Sequence, residues 1–292
     1  MAQLSIHHRK CPHCGSNHFV KRGYFYKQHT KTYIPRYNCK SCNKTFSTRT
    51  LSPTFRQKRT DLNPQVFQYL TSGASIRATA KALGCTYKTA YLKFLWLSKR
   101  AQDIHQKQRF SFKELYFDEM LSIEHTKLKP LTVALAVSDN YEILGVQVGK
   151  IPAQGKIASI SRRKYGYRPN ESSVKTQDLL TEVKRQALIK RFTIKSDSKP
   201  EYHRIVKKIF SNLPYEQFIS KENKDKRREQ KYLKTEKHIF DPLFPINHIC
   251  ARSRDLTKRL VRRSWCTTKV PEHLERALYL LIAKNNKYRL FS

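Results

Sequence analysis

Two pairs of cysteines, Cys11-Pro-His-Cys14 and Cys39-Lys-Ser-Cys42, stand 24 residues apart near the start of the chain. A C-x2-C spacing makes a tight turn that aims two thiolates at one ion, and two such turns complete a tetrahedron. A stretch this short can scarcely build a core of its own, so metal binding would be part of its folding energy. Between the pairs, Phe19 to Tyr37 alternates as a β-hairpin does. Residues 1–50 therefore read as a zinc ribbon with Cys11, Cys14, Cys39 and Cys42 as the zinc ligands. His13 and His18 read as exposed, since four thiolates fill the shell. The remaining cysteines, Cys85, Cys250 and Cys266, are scattered and bring the count to an odd seven, which argues for metal ligation over a disulfide framework.

The polar, proline-bearing stretch Ser47–Thr54 marks a boundary near residue 50. Residues 51–110 read as helices. Asn63-Pro64 opens the first, with Asn63 as its cap; Ser75 to Leu83 forms a second, stopped by Gly84; Thr86 caps a third from Tyr87 to about His105. Ala78, Ala82 and Leu83 are small or apolar where the last two helices would meet, a helix-turn-helix pattern that sets Tyr87, Lys88, Thr89 and Lys93 toward a major groove. An ordinary helical hairpin would show the same alanines and leucines, and charge decides between the two. Lys and Arg number 59 against 22 Asp and Glu, a formal net charge of +37. Such a charge repels itself unless a polyanion shares it, and the phosphate backbone does so by counterion release. The sequence has no amphipathic basic helix, no run of roughly 20 apolar residues and no signal-peptide core, so a membrane partner is not expected and a cytoplasmic location is.

From Phe112 the hydrophobic period changes from near 3.6 to near 2. Strands are expected over Glu114–Ile123, Leu131–Val137 and Ile143–Val148. A loop-like basic insert (Gly155–Pro169), a helix Ser172–Leu188, a strand Phe192–Ser196, a helix Pro200–Phe210 and a strand Tyr215–Ser220 follow. Lys221–Lys237 reads as an exposed charged arm, and helices are expected over Ile246–Arg263 and from Pro271 to about Asn285. Asp118 lies inside the first strand and Asp197 ends the fourth. A carboxylate in a strand buried on both faces costs several kcal/mol unless something compensates it, and a divalent metal both compensates and gives chemistry. Glu119 is excluded from that pair, because neighbouring strand residues point to opposite faces. Three strands, helix, strand, helix, strand, helix is the order of the ribonuclease-H-like fold, in which strands one and four adjoin. The fold class is multidomain α+β: a zinc ribbon, a helix-turn-helix domain, and a ribonuclease-H-like mixed-sheet catalytic domain over residues 111–292.

With these parts in this order the chain resembles the small insertion-sequence transposases of the DDE class, near the insertion-sequence-one type and its zinc-ribbon relatives. The most specific stretch is Asp241-Pro-Leu-Phe-Pro-Ile-Asn-His248, running into Ala251–Leu260 and Arg262-Arg-Ser-Trp-Cys-Thr-Thr-Lys269. It is similar to the family's closing block, where a helix carries the third catalytic residue ahead of a basic tail. The resemblance implies Asp118, Asp197 and Asn247 as catalytic residues and ligands of two magnesium or manganese ions, with Asn247 departing from the family's glutamate. An amide oxygen is neutral yet still ligates such ions. Asp241 is the reserve ligand. Lys258, Arg259, Arg262, Arg263 and Lys269 would bind substrate phosphates. The implied partners are double-stranded DNA, as element ends and as target, and further copies of the chain in a synaptic complex associated with a bacterial nucleoid. Two other readings stand beside this one: a non-catalytic DNA-binding protein, to which Asn247 points, and a nuclease that cuts without joining.

Overall fold

The computed structural model describes residues 10–28, 31–218, 241–261 and 268–291. The Lys221–Lys237 arm and the basic residues Arg262 and Arg263 lie outside these. The chain divides into two compact units, Met1–Leu62 with the last two residues, and Asn63–Leu290.

In the first unit β1 (Phe19–Lys27), β2 (Thr32–Cys39) and β3 (Thr45–Ser47) form an antiparallel sheet in sequence order. Its apolar centre is small: Tyr37 and Phe46 are buried with Cys11 and Cys39, and Phe19 meets both rings edge-on at 5.5 and 5.3 Å.

The second unit opens with α1 (Leu62–Leu70), α2 (Ile76–Ala82) and α3 (Tyr87–Lys107). Ser75 and Thr86 are the N-caps, their hydroxyls accepting from the backbone N–H of Ala78 and Thr89 at 3.1 and 3.2 Å. Gly84 takes φ +56° in the turn between α2 and α3, a conformation that a side chain would oppose. Two expectations are corrected here. Asn63 sits within α1 and is buried instead of capping it. The buried face of α2 is Ile76, Thr79 and Ala80, whereas Ala78 and Ala82 are exposed; the larger apolar Ile76 fixes the inward face at i, i+3 and i+4.

Strands β4 (Glu114–Glu124), β5 (Thr126–Ser138) and β6 (Ile143–Lys150) make the antiparallel meander. The insert after β6 is not a simple loop: a 3-10 turn (Gly155–Ile157) leads into α4 (Ala158–Tyr165), closed by Gly166 at φ +74°. Only Ser161 of α4 is buried, so the helix has no apolar stripe by which periodicity could reveal it. Helix α5 (Ser172–Gln186), strand β7 (Thr193–Asp197), helix α6 (Pro200–Ile209) and strand β8 (Tyr215–Phe218) follow. Last come α7 (Phe244–Leu256), a 3-10 turn over Lys258–Leu260, and α8 (Pro271–Asn285). The expected helix to Arg263 thus ends early, where β-branched Thr257 turns extended at φ −110°, ψ 105°.

The five-stranded sheet has the order β6-β5-β4-β7-β8, with β4, β7 and β8 mutually parallel. Helices α5 and α6 cover one face through a core of Leu115, Phe117, Leu179, Leu180, Val183 and Tyr202 among others. At Gly145 a Cβ would come within 2.8 Å of Leu179 Cδ1, so glycine lets α5 lie directly on β6. Helix α3 is tied to this sheet through His105, which is fully buried. Its Nε2 donates to the Leu144 carbonyl at 3.2 Å, which leaves Nδ1 to accept from the Tyr288 hydroxyl at 2.8 Å. Burial pushes the His105 pKa down to about 4, only partly opposed by the Leu144 bond.

Candidate functional site

The two cysteine turns are built alike. In the first, Gly15 N–H closes on the Cys11 carbonyl at 2.9 Å; in the second, Asn43 N–H closes on that of Cys39 at 2.9 Å. The residue after each second cysteine is left-handed, Gly15 at φ +74° and Asn43 at φ +54°, the two residue types that accept this most readily. The turns meet at Ser16 Oγ and Ser41 Oγ, 2.7 Å apart. All four sulfurs lie within 4.8 Å of one another, with Cys11–Cys42 at 3.7 Å and Cys14–Cys39 at 3.5 Å. A tetrahedral zinc with 2.3 Å bonds sets its sulfurs about 3.8 Å apart, so the cluster fits such an ion. Desolvation works against the Cys39 thiolate, but the backbone N–H groups of Cys42 and Ser41 hold its pKa down at about 6. For Cys14 the Ser16 N–H favours the thiolate, yet desolvation and the Cys39 sulfur prevail and raise it to about 12. Ligation through Cys14 needs the loss of its proton, which a cation among the sulfurs favours. Among the described residues this is the one group of three or more His, Cys, Asp or Glu side chains close enough to share an ion.

The second site depends on register. Strand β4 pairs with β7 as Glu114 with Thr193, Leu115 with Ile194 and Tyr116 with Lys195. Two residues further along each strand, Asp118 comes beside Asp197, both half-buried. Burial raises the Asp118 pKa to about 6; the charges of Asp197 and Glu119 add to it, while the Glu119 N–H and Arg254 oppose it. That N–H donates to Asp118 Oδ1 at 2.7 Å, and the N–H of Lys199 to Asp197 Oδ1 at 3.3 Å.

Helix α7 packs beside β4 and β5. Cys250 and Arg254, one turn apart on it, are the residues whose electrostatics reach Asp118; burial pushes the Cys250 thiol up to about 12, with Asp118 adding to the rise. Asn247, a turn before Cys250, is exposed, and its amide nitrogen donates to Asp241 Oδ2 at 2.9 Å. Asp241 also accepts from the Leu243 N–H at 2.9 Å, which makes it the turn that starts α7. Asn247 Oδ1 is then the amide atom available to a cation. His248 stacks on Phe244 at 5.7 Å and meets Tyr141 edge-on, while His203 lies against Tyr215.

Glu119 faces away from Asp118, as alternation requires. It accepts from Thr132 at 2.6 Å, from Ser172 at 2.8 and 2.9 Å, from Thr176 and Lys199 at 2.9 Å each, and from Tyr202 at 3.3 Å. Burial works against this carboxylate, but Thr132 and Lys199 outweigh it and hold its pKa below the usual range. The sequence reading missed this network. Its one signal was a glutamate in an apolar strand, and the donors come from three separate segments, β5, α5 and the start of α6. Lys199 joins the two sides: its ammonium binds Glu119 and its N–H binds Asp197.

Of the residues expected at a major groove, Tyr87 and Lys88 are exposed and Thr89 is half-buried. Lys93 is corrected. It is 5% exposed, and its ammonium donates to Asn63 Oδ1 at 2.7 Å. It comes five residues after exposed Lys88, about 140° further round the helix, which turns it into the α1 contact. In the basic tail Lys258 and Arg259 are half-buried on the 3-10 turn and Lys269 is exposed. No helix among the described residues is long and apolar enough to cross a membrane. Comparison of the chain with protein-family models and with curated proteins returns no match to either.

Proposed function

We propose that this chain is a DNA transposase that binds the ends of an insertion sequence and carries out metal-dependent cleavage and strand transfer. The observation that carries the reading is the sheet register that brings Asp118 beside Asp197 on adjoining parallel strands. The strand order β6-β5-β4-β7-β8 with α5 and α6 on one face agrees with a ribonuclease-H-like domain. The cysteine unit and the capped pair α2 and α3 agree with a zinc ribbon and a helix-turn-helix ahead of it.

In this reading Asp118, Asp197 and Asn247 Oδ1 would hold two magnesium or manganese ions, whose chemistry would be to activate the attacking hydroxyl and steady the leaving oxygen. The chain's own part is to place the oxygens. Glu119 N–H fixes Asp118, Lys199 N–H fixes Asp197, and Asp241 fixes the amide of Asn247. Lys258, Arg259 and Lys269 take substrate phosphates, with Arg262 and Arg263 of the same tail, and Tyr87, Lys88 and Thr89 read the duplex. Synapsis of two ends calls for more than one copy.

A second reading, a non-catalytic DNA-binding protein, is favoured by Arg254, whose positive charge already acts on Asp118. Cleavage and joining of DNA carrying the flanking element's ends, with magnesium or manganese, separates the two. The transposase reading expects loss of both steps in Asp118→Ala, Asp197→Ala and Asn247→Ala. Binding of those ends without cutting or joining by the natural chain would overturn it, and cutting without joining would leave a nuclease.

A further inference from the structure

The segment between β6 and α5 contains no Asp or Glu from Lys150 to Asn170, yet carries Lys150, Lys156, Arg162, Arg163, Lys164 and Arg168. It folds back on itself around a cavity of about 650 Å³, walled by Ala153 on one side, Ser161, Arg162 and Arg163 of α4 on another, and Tyr167 and Arg168 on the return. That volume lies within the range of small-ligand sites.

The basic residues here divide into two kinds. Arg168 is structural: it donates to the carbonyls of Ile151 and Pro130 at 3.0 and 3.1 Å and to Glu124 at 3.0 Å. Ser161 donates to the Leu128 carbonyl at 2.7 Å, and the Lys129 ammonium lies 4.9 Å over the Tyr165 ring. These contacts fasten the insert to the β4–β5 hairpin. Arg162 and Arg163 are exposed and have no acidic group within ion-pair distance among the described residues. Tyr167 beside them is 83% exposed, more than any other large apolar or aromatic residue described. A solvated basic helix would need neither a cavity nor a bare ring. An aromatic face next to two free guanidiniums is what stacks a base and binds its flanking phosphates.

We propose that this cavity binds one unpaired nucleotide of a DNA strand, its base on Tyr167 and its neighbouring phosphates on Arg162 and Arg163. That the bound strand is the one engaged at the aspartates rests on the transposase reading; the cavity's affinity for a strand does not. Glu124, which anchors Arg168, is six residues beyond Asp118 on β4, or about 20 Å at 3.3 Å per residue.

The test uses the full zinc-loaded chain and a short single-stranded oligonucleotide containing 2-aminopurine, whose fluorescence falls on stacking. The natural chain should quench it. Tyr167→Ala should abolish the quenching and weaken affinity roughly five- to a hundredfold, while Tyr167→Phe restores both. Arg162→Gln with Arg163→Gln should flatten the salt dependence of log affinity by about 1.4. Quenching unchanged in Tyr167→Ala, or a salt slope unchanged in the arginine variant, overturns the proposal. So does competition by a free deoxynucleoside monophosphate as strong as by a trinucleotide, which would mark a site for free nucleotides. All three side chains are exposed, so their replacement leaves the fold intact, and matching far-UV dichroism checks this. Tyr167-dependent quenching in a chain that neither cuts nor joins would overturn the transposase reading alone; cutting without that dependence would overturn this proposal alone.

Discussion

The cysteine cluster and the aspartate pair both gather like charges, by opposite means. The cysteines are set by two short turns, each closed by one backbone bond and one left-handed residue, and a single hairpin brings the turns together. The aspartates belong to strands separated by two other strands, an insert and a helix, and meet only through the β4–β7 register. Four thiols close enough to share one ion come from the local arrangement. The long-range one yields two carboxylates, with an exposed amide on a flanking helix as the third candidate. Local geometry can complete a site by itself; a site made by sheet pairing depends on everything that holds the sheet in register.

The largest expected effect lies on the cysteine side. A structural zinc contributes on the order of 10 kcal/mol to a unit of this size. Chelation, or Cys39→Ala, should unfold β1–β3, seen as rapid proteolysis within residues 10–50, while the sheet unit keeps its cooperative melt. Survival of the three strands without metal would show that the aromatic cluster of Phe19, Tyr37 and Phe46 suffices, and the contrast would fail.

Acid should act on the sheet unit through His105. Its folded pKa of about 4 lies below the ordinary 6.5, so the unfolded chain takes up the proton first. The stability tied to neutral His105 is fully present above about pH 6.5, is lost between there and about pH 4, and amounts to on the order of 3 kcal/mol. Urea melts of the sheet unit across that range should lose this component of the slope in His105→Gln; an identical slope would contradict it.

Removing the ion pair beneath the aspartates comes next. Lys199→Met leaves Glu119 buried with neutral donors only, at a cost of about 2–3 kcal/mol once the partial exposure of Lys199 is allowed for. Denaturant midpoints measure this, and a shift worth less than about 0.5 kcal/mol would mean that the hydroxyl donors suffice. The smallest effect separates two lysines of α3. Lys88→Ala should lower the salt slope of duplex binding by about 1, and Lys93→Met should leave it unchanged. Equal slopes in both variants would remove the groove assignment from the start of α3.

What the sequence made legible follows the same division. The cysteine spacing named the four side chains that come together. Strands β4 to β6 were legible as short apolar runs separated by turn signals, and α8 at both ends, because Pro271 opens it and the apolar pattern stops at Asn285. Helix α4 was not, since it buries a single serine. Lys93 misled because a lysine is ordinarily a surface residue, and an interior partner such as Asn63, thirty positions earlier, is not visible from the local pattern. The adjoining of strands one and four was legible through strand order. The donors around Glu119 were not, because Thr132, Ser172, Thr176, Lys199 and Tyr202 converge only after β5, α5 and α6 have packed.

The central claim is that Asp118 and Asp197 together hold a divalent cation. Manganese titration of the zinc-loaded chain, followed by electron paramagnetic resonance of the free ion, tests it without calling on activity. The account predicts saturable binding that Asp118→Asn and Asp197→Asn each abolish while zinc content stays at one per chain. Manganese affinity unchanged in both variants would contradict it.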